Sequence, residues 1–296
     1  MAKIKEVQFT IPVTGLQYTD VRPVITGEDW DDIRETAQNV ARSVGNEKLY
    51  ERLSGNQTGL TAQSTGLIRE IGGTGIMFNE TEHTYSKNGL PYLSGSTFAH
   101  MFEKEFPKES VAAKVAEKNG NQVEDVLEAW DRKGKTSLDY GTLIHHCIES
   151  FLLFGADAAP TNQYLADIVN DWDEVFDEVL AHGGVAEHFV YDDAHQLCGV
   201  VDCIDTETKT IYDWKTGDIH QKIQHNLGKD FPNDRLSLYT LQLNFYRYIC
   251  EQNGQTINHL VIGWLNGEHW EKVNVPIIDI KPYLEQVWKP KKLSSN

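Results

Sequence analysis

The period of the chain changes just before its last third. Three short runs, AEHFVYDD, CGVVDCID and KTIYDWKTG, alternate apolar and polar positions and are divided by polar turns. Period-two runs of this length are half-buried strands, and three in succession predict an antiparallel meander. Before them lies NQYLADIVNDWDEVFDEVLAHGG, with Leu165, Ile168, Trp172, Val175 and Val179 at steps of three and four and acids on the solvated face. After them lies NDRLSLYTLQLNFYRYICEQNG, a long helix with Asp234 or Asn233 as its cap and Gly254 beyond its end. A meander between amphipathic helices predicts an α/β core, a mixed sheet flanked by helices.

IMFNETEHTYSKNGLPYLSGST reads as a hairpin turning at Asn88–Gly89, a pair that takes positive φ readily. STFAHMFEKEFP follows as a short helix capped by Ser96 and stopped by Pro107. ESVAAKVAEKNG and NQVEDVLEAWDRKG read as two helices, each ending at a glycine, and SLDYGTLIHHCIESFLLFG as another, closing at Gly155. INHLVIGWLNGEHWEKVNVP reads as a second hairpin through Asn266–Gly267, and IDIKPYLEQVW as a last helix. Residues 1–75, with a helical GEDWDDIRETAQNVARSVG and a loop-like SGNQTGLTAQSTG, form an N-terminal extension of unknown role to a domain expected over residues 76–296.

Composition sets outer bounds. With 296 residues, 40% hydrophobic and 10% aromatic, the chain has the apolar content of a packed core. No apolar run approaches the roughly 18 residues of a membrane span. MAKIKEVQFTIPVTG lacks the apolar stretch of a secretion signal, so a cytoplasmic protein is expected. Cys147, Cys198, Cys203 and Cys250 include no C-x-x-C pair, which predicts reduced thiols rather than a zinc ribbon. The net charge of −17 argues against a broad non-specific nucleic-acid surface. Nucleic acid stays open as a substrate, because acids can gather around a metal and away from a groove. RKGKTS ends like a phosphate-binding loop, but Ala129 stands where the first glycine belongs and the preceding VEDVLEAW is helical.

Asp213 and Lys215 are two apart, so they share one face of a strand while Trp214 takes the other. A strand-end ion pair would account for them, as would a metal ligand beside a catalytic lysine. Asp202, eleven residues earlier, reaches Asp213 if the meander turns tightly. Two carboxylates sharing a site repel, and a divalent cation removes that penalty. Hard oxygen donors in a partly open site suit Mg²⁺. Lys215 would then orient a water or neutralise developing negative charge; a turn cap is the alternative role for Asp202. His145 and Glu149, four apart, offer a nitrogen and a carboxylate on one helix face, opposite apolar Ile144, Cys147, Ile148 and Phe151. Gly141, one turn earlier, permits close approach of another backbone. On the late helix Arg235, Tyr239, Gln242 and Tyr246 line one arc beside an apolar arc of Leu238, Leu241, Phe245 and Ile249. The polar arc borders either the core or a substrate groove.

In combination these elements resemble the PD-(D/E)XK nucleases, above all the RecB-like exonuclease branch with its phage recombination exonucleases. The match covers about residues 78–275. It comprises Gly141, His145 and Glu149; Glu187 near a strand start; Gly199 and Asp202; Asp213, Lys215, Thr216 and Gly217; and Gln242 with Tyr246. HTYSKNGLPYLSGST is similar to the upstream H-x-Y…G…S-x-T element of phage members.

The resemblance implies a restriction-endonuclease-like core and Mg²⁺-dependent hydrolysis of a DNA phosphodiester, with Mn²⁺ able to substitute. It implies Asp202 and Asp213 as metal ligands, His145 as an additional one, and Glu187 as a second-metal or supporting group. Lys215 would act on the attacking water. Gln242, with Tyr246, would position the scissile phosphate or that water. On the groove reading of the polar arc, Tyr239 and Arg235 would face the substrate; Glu149 and Gly141 would support the site. An exonuclease of phage or bacterial recombination or repair is favoured, in the host cytoplasm if phage-encoded. No helicase motif is present, so any helicase would be a separate protein; a single-strand annealing protein is another expected partner, and an oligomer is compatible. The clustered cysteines of iron–sulfur members are not reproduced, so no iron–sulfur cluster is expected. The alternatives are a structure-specific or restriction-type endonuclease, and a non-catalytic DNA-binding or assembly protein retaining the fold. The last would be expected to lack one of Asp202, Asp213 and Lys215, and all are present.

Overall fold

A computed structural model describes residues 68–71, 73–79, 82–155, 160 and 163–291, with a short strand pair, Phe9–Thr10 against Gln17–Tyr18. The helix and loop expected at residues 27–45 and 54–66 lie outside the described residues. The chain divides into two compact units, Met1–Ser54 with Glu105–Asn170, and Gly55–Lys104 with Asp171–Asn296.

The second unit holds one nine-stranded mixed sheet. Its strands are β1 (Ile68–Glu70), β2 (Met77–Asn79), β3 (Thr84–Lys87), β4 (Leu90–Ser94), β5 (Val185–Asp192), β6 (Leu197–Asp205), β7 (Thr210–Lys215), β8 (His259–Asn266) and β9 (His269–Asn274). The spatial order is β9-β8-β7-β6-β4-β3-β2-β1, with β5 on the other edge of β6. β1 precedes residue 76, inside the stretch set apart above as an extension. As expected, β5, β6 and β7 form an antiparallel meander. The β4–β6 and β7–β8 pairs are parallel. A parallel neighbour needs a crossover, and helix α5 (Arg235–Gln252) supplies it between β7 and β8.

The turns follow their chemistry. Asn88 and Gly89 take φ of 53° and 76° and close the Lys87–Leu90 pair. The second hairpin turns one residue later than expected: Asn266 still pairs with His269, so Gly267 (φ 71°) and Glu268 form the turn. Helix α1 (Gly95–His100) also departs from expectation, since its cap is Ser94, whose hydroxyl accepts from Thr97 N at 3.3 Å, and not Ser96. β4 runs straight into this helix, so Ser94 is the last extended residue and Ser96 is already helical. The helix ends at Met101, well before Pro107.

Both sheet faces are buried. On one, Leu238, Leu241, Phe245 and Ile249 of α5 pack with Phe98, Leu197, Ile211 and Ile262, and with Leu284 of α6 (Lys281–Val287). On the other, Trp172 and Phe176 of α4 (Gln163–Ala181) lie against Trp214, with ring centroids 5.5 and 5.2 Å away. Each such fully buried side chain contributes roughly 1.5–3 kcal/mol of transfer free energy. The acids of α4 are not all merely solvated. Asp171 Oδ2 accepts from Trp270 N at 2.7 Å, and Glu178 pairs with Lys272, which ties the helix to β9.

In the first unit, α2 (Lys108–Asn119) ends at Gly120 with φ 71°, as expected. The next two expected helices are one, α3 (Val123–Phe154), which passes through Gly134 without a break. A helix-interior glycine costs only about 1 kcal/mol relative to alanine, and the polar residues around it are exposed, so propagation continues. Ile144, Cys147, Ile148 and Phe151 are buried on α3. Among the described residues, no helix is long and apolar enough to cross a membrane.

Candidate active site

The sheet forks at β6. Along one edge of this strand, Leu197 and Cys198 pair with β4, and pairing resumes at Cys203 with β7. Asp202 stands in the gap. Across the other edge it falls opposite Glu187, whose φ is 50°, a left-handed value rare for any residue but glycine. The alternation of faces also slips here. A Cβ on Gly199 would meet Tyr246 of α5, whereas Cys203, at the same parity, lies beside Val179 of α4 through Gly184. Local irregularity of this kind re-aims side chains. It turns Asp202 toward Lys215 and Tyr246, both of which feel its charge.

β7 behaves as its alternation predicts. Ile211 packs in the α5-side core, Trp214 lies on the α4 side, and Asp213 and Lys215 point with Ile211. Asp213 is 2% exposed, and its Oδ2 is 2.5 Å from Lys215 Nζ. Burial alone would pull the Lys215 pKa down, but Asp213 and then Asp202 outweigh it and hold the ammonium above the ordinary lysine range. Beyond the strand, Trp264 Nε1 donates to Gly217 O at 2.9 Å and anchors the turn of D-x-K-T-G.

α5 brings the polar arc over this edge. Gln242 Nε2 donates to Asp213 Oδ1 at 3.3 Å and to Tyr246 OH at 3.2 Å. An ionised Asp213 only accepts, so the amide cannot be flipped, and the Gln242 carbonyl remains the available acceptor. Tyr246 is buried rather than lining a groove, and burial, with Asp213 next, pushes its phenol well above the usual range. Its ring explains two glycines. A Cβ at Gly199 would lie 2.5 Å, and one at Gly95 2.6 Å, from Tyr246 Cε1. Tyr239 presents its ring to Lys215 Nζ, 4.8 Å from the centroid. Arg235 Nε donates to Gln221 Oε1 at 2.6 Å, so its guanidinium braces the loop before α5.

His145, Gly141 and Glu149 belong to the first unit, on α3. Glu149 is buried and its Oε2 lies 3.3 Å from Nδ1 of His146, the neighbour of the residue singled out in sequence. Among the described residues, no group of three or more His, Cys, Asp or Glu side chains could by itself hold a metal ion. Asp202 and Asp213, whose charges both reach Lys215, are the carboxylates that would serve as oxygen donors to a cation such as Mg²⁺, which takes one or two protein carboxylates and completes its shell with water and phosphate oxygens. All four cysteines are buried thiols, and burial pushes Cys147 up to about 12.

The roles of Trp214 N–H, Gln221 and Gly95 were not apparent in the sequence. Their partners are 12, 14 and 151 residues away, and the signatures read in the sequence covered the segments of Trp214, in D-x-K-T-G, and Gly95, in HTYSKNGLPYLSGST, but not that of Gln221.

No known protein family matches this chain, and no curated protein does. A solved structure from Eubacterium rectale, described as a "putative exonuclease", matches with 16% identity and a TM-score of 0.38, over 66% of this chain and 75% of its own.

Proposed function

We propose that this chain hydrolyses DNA phosphodiester bonds with a divalent cation held by Asp202 and Asp213, and that it acts from DNA ends. The observation that supports this most is the buried Asp213–Lys215 pair, 2.5 Å apart at the sheet fork where Asp202 stands. Bound Mg²⁺ would supply Lewis-acid polarisation of the phosphoryl group and neutralise its charge. The family resemblance adds Glu187 as a supporting carboxylate.

The protein's own groups divide the remaining work. The Lys215 ammonium, which has donors and no acceptor, steadies the attacking water or the phosphoryl oxygens. Gln242 has both amide hydrogens engaged, so its carbonyl accepts from the water and aims it. The water oxygen bonds to phosphorus, the bond to the leaving sugar oxygen breaks, and a proton ends on that oxygen.

End-directed action comes with the family resemblance. The net charge of −17 agrees with it, because capturing an end needs fewer phosphate contacts than wrapping a duplex. A cytoplasmic setting in recombination or repair, with an annealing protein or a separate helicase as partner and without an iron–sulfur cluster, completes the reading. End-labelled linear DNA and covalently closed circles, each with Mg²⁺ and with chelator, test it. Linear DNA should shorten only with Mg²⁺ while circles survive. Circles cut as fast as linear DNA shortens would make the chain an endonuclease.

A further inference from the structure

We propose that Tyr239 is the positioning residue of Lys215, its ring face holding the ammonium against Asp213. This rests on the reading of Lys215 as a catalytic group. Lysine carries its charge on a long flexible stem, and two carboxylates, Asp213 and Asp202, both attract it. Coulombic attraction has little direction, so carboxylates alone do not place the ammonium to within a fraction of an ångström. A ring face does add direction, because the cation is attracted along the normal to the ring.

The geometry is that of a cation–π contact. Lys215 Nζ lies 4.8 Å from the Tyr239 ring centroid and 2.5 Å from Asp213 Oδ2. The lysine side chain is 17% exposed, so the contact is largely shielded from water, where such contacts are strongest. Tyr239 is itself held, packed on the buried core from α5, one turn before Gln242. The same helix therefore sets the lysine's platform and the water's acceptor.

Two measurements test this. Tyr239→Leu should lower kcat by about 2- to 30-fold with KM unchanged, and Tyr239→Phe, which keeps the ring, should restore it. Tyr239→Met, a second aliphatic replacement, should behave as Tyr239→Leu does. Independently of activity, the methylene next to Nζ should show the upfield ring-current displacement of a group above an aromatic face. In protein carrying ¹³C-lysine, that Lys215 resonance, assigned by its loss in Lys215→Arg, should be displaced in wild type and in Tyr239→Phe. It should return to the ordinary lysine position in Tyr239→Leu. A Lys215 resonance unmoved by Tyr239→Leu and Tyr239→Met, or unaltered kcat in both, would overturn the assignment. A wild type that cleaves no DNA would end the nuclease reading, and the resonance would still decide this one.

Discussion

The backbone N–H of Trp214 donates to Asp202 Oδ2 at 2.7 Å, just past the last β6–β7 ladder pair, Cys203 with Tyr212. The side chain of one strand thus continues the hydrogen bonding that the backbone has given up. This fixes Asp202 on the strand that carries Asp213 and Lys215.

That contact separates two replacements. Asp202→Asn keeps an oxygen for Trp214 and removes the charge, so in chelator it should melt cooperatively. Asp202→Ala leaves a donor without its partner and should cost about 1–3 kcal/mol. A cation that binds only the folded protein stabilises it by about 2.7 kcal/mol at a hundredfold excess over Kd. Thermal melts with and without Mn²⁺ should show a rise for wild type and little for Asp202→Asn. An Asp202→Asn melting temperature that climbs as steeply as wild type would remove Asp202 from the ligands.

Tyr246 and Gly199 should be energetically coupled. A methyl at residue 199 would lie 2.5 Å from Tyr246 Cε1 in a buried site, so Gly199→Ala should destabilise by about 1–3 kcal/mol through overpacking. In a Tyr246→Leu background the ring is gone and the same change should cost much less. Denaturant unfolding of the four proteins of this cycle measures the coupling; equal costs in both backgrounds would mean that Gly199 is not there for Tyr246.

His182 Nδ1 lies 3.0 Å from Oδ2 of Asp205, a fully buried carboxylate. That hydrogen bond raises the His182 pKa above its ordinary 6.5. A raised folded-state value means that the contribution is full below pH 6.5 and is lost as pH climbs through the raised value. The wild-type melting temperature should therefore exceed that of His182→Gln most below pH 6.5, with the gap closing above it. A gap independent of pH would show that the imidazolium form is not what matters.

Much of this architecture is legible because it is local. The Asn88–Gly89 turn, the Asp234 cap and the two arcs of α5 follow from residues within a few positions of one another. The face shared by Asp213 and Lys215 follows from strand alternation alone. What was not legible depends on distant partners or on small differences in local free energy. Gly134 looked like a helix end, yet nothing nearby supplied a competing structure. Ser94 and Ser96 are both good caps, and the length of β4 chose between them. The slip that turns Asp202 toward Lys215 needs Glu187 at φ 50° on another strand, and no residue pattern announces a glutamate in that conformation.

The central claim is that Lys215, Asp213 and Asp202 form a hydrolytic site, and turnover of end-labelled linear DNA by wild type and Lys215→Ala tests it most directly. Removing this cation also unpairs a buried Asp213, so Lys215→Met, which retains the aliphatic stem, accompanies it, and the fold of each is checked by far-UV circular dichroism. Loss of a donor to developing charge typically costs about 100- to 1,000-fold in rate. The account predicts Mg²⁺-dependent release of label by wild type and a loss of that size in both folded variants. Release at the wild-type rate by a folded Lys215→Ala or Lys215→Met protein, or no release by wild type with any divalent cation, would contradict it.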